Sequence, residues 1–326
     1  MIITVSTIVL MVLAILSLVL AFYGGHISLS ITGDKNENSN GSQTAEQKYY
    51  LLGMIGLIVL AARLVAAPLF FWMLQSLVPY CPGAMCISGV VNVSEPFSSL
   101  DMALKLIVPA LYGQWIFIEI ANRRSKDLAM ANLLAKSFAL VLLPVLVVES
   151  VLDVLLVSLI QPVYAPCCSS VYDVEPPFSP SALFGPEVGI AIIVLTITLA
   201  TIIIAIELIE LPLNRRLITI LTLGPLLGFS YLTAIHDTVA PVVLGLSSHH
   251  CPYCLFQEFP DTAVFAGLFW LGVVMSIWNV VLEFLWSRNG LSINQIDGVL
   301  ALSRKVSAVC LIFSLTSLVS HLIVAS

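Results

Sequence analysis

Long apolar stretches alternate with short polar ones along the whole chain. They fall at about 2–24, 50–79, 102–121, 137–163, 186–211, 217–239, 263–286 and 306–325. Each is near the ~20 residues a helix needs to cross a ~30 Å hydrocarbon core. They are too long and continuous for barrel strands. A backbone inside lipid must also satisfy its own hydrogen bonds, so the pattern predicts an all-α, polytopic membrane helical bundle of about eight transmembrane helices. The second stretch is longer than one crossing needs and carries Pro68, which predicts a tilt or kink there. The first stretch has neither a basic leader nor a small-residue cleavage site and reads as a retained helix. Segments 125–136 and 290–303, before the fourth and eighth stretches, read as short interfacial helices.

Composition excludes a soluble globule: 59% of the 326 residues are hydrophobic and 10% charged, against roughly a quarter charged in soluble domains. The net charge of −6 and the scattering of Lys and Arg between spans predict no nucleic-acid partner; the partner in view is the lipid bilayer. Lys35, Lys48, Arg123, Arg124, Lys126, Lys136, Arg215, Arg216, Arg288, Arg304 and Lys305 fall at alternate loops, which marks those loops as cytoplasmic. The other loops carry Glu95, Asp101, Asp173, Glu175, Glu187, Glu258 and Asp261. Both termini and segments 80–101, 164–185 and 240–262 are therefore expected on the non-cytoplasmic side of a cell (plasma) membrane. A sequon at Asn92-Val93-Ser94 falls on that side, whereas Asn40-Gly41-Ser42 falls inside.

The chain reads as a single transmembrane domain over 1–326 with a 4+4 pattern inside it. Cys81 follows the second stretch and Cys251 the sixth, and Lys136 and Lys305 stand a similar distance apart. Trp115, Glu119 and Arg123 echo Trp278, Glu283 and Arg288. A parallel repeat with halves 1–180 and 181–326 fits these spacings, although regularly spaced basic loops produce some of the same regularity without duplication.

Six of the seven cysteines lie in the three outer segments: Cys81 and Cys86, Cys167 and Cys168, Cys251 and Cys254. An oxidising location makes all six structural disulfide candidates, with fifteen possible pairings. The adjacent Cys167 and Cys168 are expected to reach different partners, because disulfide geometry needs more than one peptide unit. A second reading makes Cys251, Cys254, Cys81 and Cys86 catalytic. A Cys-x-x-Cys pair forms a labile disulfide, and the neighbouring His249 and His250 favour the thiolate. Cys251-Pro252-Tyr253-Cys254 matches the glutaredoxin active-site tetrapeptide. With Leu255 it resembles the redox-active segment of vitamin K epoxide reductase homologues and of bacterial disulfide-generating quinone reductases. The resemblance covers five residues and implies redox-active thiols at Cys251 and Cys254; the further motifs of those families are absent, so it is local chemistry rather than membership.

The same residues suit metals. His249, His250, Cys251 and Cys254 combine imidazole with thiolate, a donor set for Cu(I) or Zn. His236 and His321, near outer helix ends, are candidate axial ligands of haem b, each with the alternative of an ordinary hydrogen-bonded histidine. A c-type haem motif is absent, since Leu255 follows Cys254.

Charges inside apolar spans are costly, so they pair or mark a pathway. Arg63 lies mid-span, and Glu149 and Asp153 lie four apart on one face of the fourth span. We expect Arg63 to contact Glu149 or Asp153, as a structural ion pair, a proton route, or a group holding a quinone or haem propionate. Glu119 with Arg123, and Glu283 with Arg288, are expected as pairs near the inner ends.

Three functions follow from these residues. The first is a membrane redox protein, a thiol–disulfide oxidoreductase, exchanging electrons or disulfides with an extracytoplasmic protein partner. The second is a non-enzymatic membrane subunit that binds haem or metal or anchors an electron-transfer protein, stapled by disulfides. The third is a transporter.

Overall fold

The computed structural model describes residues 3–33, 39–93, 96–124, 128–161, 164, 179–209, 211–247 and 249–325. The described residues form helices and no strands. In chain order these are α1 (Val5–Gly33), α2 (Ser39–Leu77), α3 (Ile87–Asn92), α4 (Phe97–Asn122), α5 (Ala131–Ser137), α6 (Leu143–Leu159), α7 (Pro180–Phe184), α8 (Pro186–Leu208), α9 (Leu213–Ala234), α10 (Ala240–Leu244), α11 (Pro252–Glu258), α12 (Pro260–Arg288) and α13 (Asp297–Ala325). A π-helical turn, Phe138–Leu142, joins α5 to α6, and a second, Ile235–Val239, joins α9 to α10. Eight helical stretches are long and apolar enough to cross a membrane, and the chain is an integral membrane protein.

Each expected span is present, and most run longer than the apolar stretch that announced them. α2 continues unbroken through Pro68. The described residues of segments 125–136 and 290–303 lead into longer helices. Ala131–Ser137 and the residues from Asp297 onward are the first turns of spanning helices. Their polar groups are used inside the bundle: the Ala135 carbonyl accepts from the Ser28 hydroxyl, and the Ser303 hydroxyl donates to Asn279 Oδ1.

The chain divides into two compact units, Met1–Pro166 and Cys167–Ser326. In the first, α1 packs on α2, α2 on α4, α4 on α6, and α6 back on α1. In the second, α8 packs on α9, α9 on α12, α12 on α13, and α13 back on α8. Each is a closed ring of four helices.

Helix packing in lipid cannot rely on hiding apolar surface from water, so small residues that allow close approach mark the inner faces. On α1 the buried positions include Ala14, Ser17, Ala21, Gly24 and Ser28, while Ile8, Val12, Ile15, Val19 and Phe22 face outward. A Cβ at Gly24 would stand 2.8 Å from the Phe138 ring, and one at Gly56 would stand 2.7 Å from Trp115. Both glycines are set by contact with an aromatic ring rather than by backbone conformation.

Candidate functional site

The buried face of α4 follows helical spacing: Ser98, Asp101, Lys105, Val108, Tyr112, Trp115, Glu119 and Asn122 all point into the first unit. From Asp101 to Asn122 this stripe covers about 32 Å at ~1.5 Å per residue, close to a full hydrocarbon thickness. At one level it meets Arg63 from α2 and Glu149, Ser150 and Asp153 from α6.

Lys105 is the hub. Its Nζ lies 2.7 Å from Asp153 Oδ1, 2.9 Å from Glu149 Oε1 and 3.4 Å from Asp101 Oδ1, and 5.2 Å from the centre of the Phe70 ring. Arg63 Nη1 lies 3.5 Å from Asp153 Oδ2 and 3.6 Å from Glu149 Oε2, and Nη2 donates to Ser150 Oγ at 2.8 Å. The expected contact of Arg63 with Glu149 and Asp153 is thus present in the geometry. All five charged side chains are at most 1% exposed. The remaining wall, α1, carries no Asp, Glu, Lys or Arg.

Three carboxyls face two cations here. Glu149 and Asp153 each touch both Lys105 and Arg63, whereas Asp101 touches Lys105 alone, at the longest distance, and its Oδ2 has no hydrogen-bond partner. A net charge in such a layer costs several kcal/mol per ion even after relaxation. The layer is neutral when one proton sits among the three acids, and Asp101 is the acid least supported as an anion.

Sequence reasoning missed Asp101 and Lys105. Asp101 was assigned to an outer loop because the apolar stretch begins at 102. The helix begins at Phe97, which moves Asp101 inside it and aligns it with Lys105 one turn on. The signal was available in the i, i+4 pairing of opposite charges followed by Tyr112 and Trp115 on the same face.

On one side of the layer lies an apolar cluster that includes Phe70, Leu74, Cys81, Val90, Val91 and Leu156. On the other, Tyr112 and Trp115 both meet the Phe138 ring edge-on, with centroids 6.1 and 5.5 Å away. Beyond them Glu119 pairs with Arg123, and Asn122 uses both ends of its side chain: Nδ2 donates to Tyr49 Oη at 2.9 Å and Oδ1 accepts from the Met130 amide at 3.0 Å.

The second unit has a polar layer near one end. Glu283 meets Arg216 and lies 3.0 Å from Arg304, which is 3.9 Å from Glu207. Among the described residues, two acids here face two cations. The expected partner of Glu283 was Arg288; the structure gives Arg216 and Arg304, because these project into the ring while Arg288 lies exposed at the end of α12. In the interior of this unit Tyr231 stacks on Phe269 at 3.7 Å. An aromatic pair thus bridges α9 and α12.

The cysteines occupy short elements. Cys81 is buried in the apolar cluster, its Sγ 3.9 Å from the Gln161 carbonyl, and burial pushes its thiol pKa up. Cys86 immediately precedes α3. Cys251 immediately precedes α11 and Cys254 lies in its first turn. Cys310 is buried within α13. No disulfide is seen among the described residues. Cys167 and Cys168 lie outside the described residues, as do Lys35, Glu95, Lys126, Asp173, Glu175 and Ser94 of the sequon.

His250 Nδ1 is 3.0 Å from the His236 carbonyl, and the two rings stack 5.7 Å apart. A carbonyl only accepts, so Nδ1 of His250 carries the proton and Nε2 is left as the basic or ligating nitrogen when the ring is neutral. Ser179 Oγ lies 3.3 Å from His250 Nδ1 and 3.5 Å from His236 Nδ1. His321 Nε2 lies 2.7 Å from Asp261 and its ring meets Phe259. His249 is half-buried, its amide donating to the Leu246 carbonyl.

Compared with known proteins, the chain matches no family model, no curated protein and no solved structure.

Proposed function

We propose that this chain is a proton-exchanging membrane protein in which Asp101 takes up and releases the proton. The observation that carries the reading is the imbalance of the buried layer, in which, among the described residues, Asp101, Glu149 and Asp153 face two cations, Lys105 and Arg63. Ionisable groups at membrane depth are expensive and persist where they serve a pathway or a coupled reaction. A purely structural ion-pair lock would favour equal numbers, as in the second unit. The test is proton movement in sealed vesicles holding a pH dye, under an imposed potassium diffusion potential. Wild-type protein should carry protons and Asp101→Asn should not; equal traces from wild type, variant and empty vesicles would end the proposal.

A second reading, thiol–disulfide exchange with an extracytoplasmic protein, is favoured by one observation. Cys251 and Cys254 stand together at the start of α11, with His250 next in sequence. In that reaction the two thiols would reduce a partner disulfide, forming the Cys251–Cys254 bond and two partner thiols. Oxidation of a dithiol by any other acceptor releases two protons with the two electrons, which is where proton exchange in the first unit would serve it. The outward orientation of the cysteine segments belongs to this reading and rests on the distribution of Lys and Arg; a plasma-membrane location is part of the same proposal. Alkylation of membranes with and without reductant, read by mass spectrometry, tests it; a Cys251 and Cys254 that never change state during exposure to oxidised and reduced thiols would remove it.

A further inference from the structure

Several polar atoms of the charged layer have no hydrogen-bond partner in the protein although they are buried: Arg63 Nε, Tyr112 Oη, Glu149 Oε2 and Asp101 Oδ2. They include a guanidinium donor, a hydroxyl that can donate and accept, and carboxylate acceptors. Tyr112 lies two turns from Lys105 on the same buried face of α4, and Glu149 Oε2 is only loosely engaged by Arg63 at 3.6 Å. A lone cation or anion would suit only some of these atoms. A ligand that donates and accepts in several directions suits all of them, and buried polar groups of this kind are ordinarily completed by internal water with two to four partners.

We infer that water is bound inside the first unit among Arg63, Glu149 and Tyr112, and that Tyr112 is the relay residue at the inner limit of a hydrated proton site. Past Tyr112 the Phe138 and Trp115 rings close the bundle: Trp115 Nε1 donates to the Leu134 carbonyl at 2.9 Å, and Gly24 and Gly56 let α1 and α2 press against these rings. The next ionisable group on the α4 face, Glu119, lies seven residues beyond Tyr112, about 10 Å along the axis. That is too far for direct proton transfer, so the rings keep the wet layer and the Glu119 end apart. The relay role rests on the proton-exchange reading; the water site does not.

Radiolytic hydroxyl labelling of the purified full-length protein tests the water site, because radicals made from bound water modify the side chains that touch it. Tyr112 should be labelled despite its burial. Tyr231, also buried but stacked on Phe269, should not. A Tyr112 as unreactive as Tyr231 overturns the water site. Tyr112→Phe should also lower the melting temperature, since a water-bonded hydroxyl is lost; an unpaired hydroxyl in a dry layer would leave it unchanged or raised. The relay is read in the vesicle assay, where Tyr112→Phe should slow proton movement at least tenfold. Wild-type rates in that variant, beside a labelled Tyr112 and an inactive Asp101→Asn, overturn the relay and leave both the water and the proton reading standing.

Discussion

Replacing Lys105 by Met probes the charged layer most severely. Lys105 Nζ contacts three carboxyls at 2.7, 2.9 and 3.4 Å, and its loss leaves Arg63 alone against all three. Removing one partner of a buried ion pair typically costs about 3–5 kcal/mol. A second route gives a similar figure. Neutrality now needs one more proton than in the wild type. Keeping a proton at pH 7 on a carboxyl whose reference pKa is about 4 costs about 1.4 kcal/mol for each of roughly three pH units, or about 4 kcal/mol. The sign of the pH dependence follows. The folded variant binds one more proton relative to its unfolded chain than wild type does, so its deficit shrinks by about 1.4 kcal/mol for each unit the pH falls, down to the unfolded carboxyl range near about 4. Unfolding of both proteins in the same detergent micelles at pH 5, 6 and 7 measures this. A deficit of about 4 kcal/mol at pH 7 that falls to about 1.5 kcal/mol at pH 5 is expected. A deficit independent of pH would refute the charge-balance argument, because packing loss alone does not titrate.

Asp101→Asn should not destabilise the protein at pH 7 and should remove one proton's share of the wild type's fall in stability with rising pH, since Lys105 and Arg63 then balance Glu149 and Asp153 without a proton; a loss comparable with that of Lys105→Met would place Asp101 among the ionised acids. Gly24→Ala, which sets a Cβ 2.8 Å from the Phe138 ring, and Gly56→Ala, 2.7 Å from Trp115, should each cost about 1–3 kcal/mol. Gly267→Ala, with nothing within 4 Å, should be neutral or stabilising, and equal melting temperatures for the three variants would contradict the packing. Glu283→Gln leaves Arg216 and Arg304 together without their shared carboxylate and should cost about 3 kcal/mol, checked by the same unfolding assay. Cys81, buried with its thiol pKa raised, should alkylate more slowly than half-buried Cys254 in reduced native protein. Its contribution to stability is present below the unfolded thiol pKa of about 8.5 and is lost as pH rises through the folded value, so Cys81→Ala should flatten the alkaline fall in stability.

The membrane bundle was legible because apolar stretches of spanning length leave the backbone few alternatives. Arg63, Glu149 and Asp153 were legible for a related reason: a charge in the middle of an apolar run has nowhere to go but toward another charge. Asp101 and Lys105 were harder. Both stand near the polar end of the third span, where hydropathy does not distinguish a loop acid from one in the first turns of a helix, and only the start at Phe97 resolves it. Glu283 was misassigned to Arg288 because proximity in sequence stood in for proximity in the ring; Arg216 and Arg304 come from other helices and no local spacing announces them. The π-helical turn at Phe138 left no pattern in the sequence, yet it sets the ring that closes the layer. The cysteines were conspicuous as residues, but their chemistry depends on which thiols meet and in what state, and spacing does not fix that.

Infrared spectroscopy of the carboxylic acid C=O stretch, at neutral pH in H2O and in D2O, tests the central claim most directly. Wild-type protein should show a protonated buried carboxyl that shifts on deuteration and that is missing from Asp101→Asn. A wild-type spectrum without a protonated carboxyl, or a band that persists unchanged in Asp101→Asn, would contradict the assignment of the proton to Asp101.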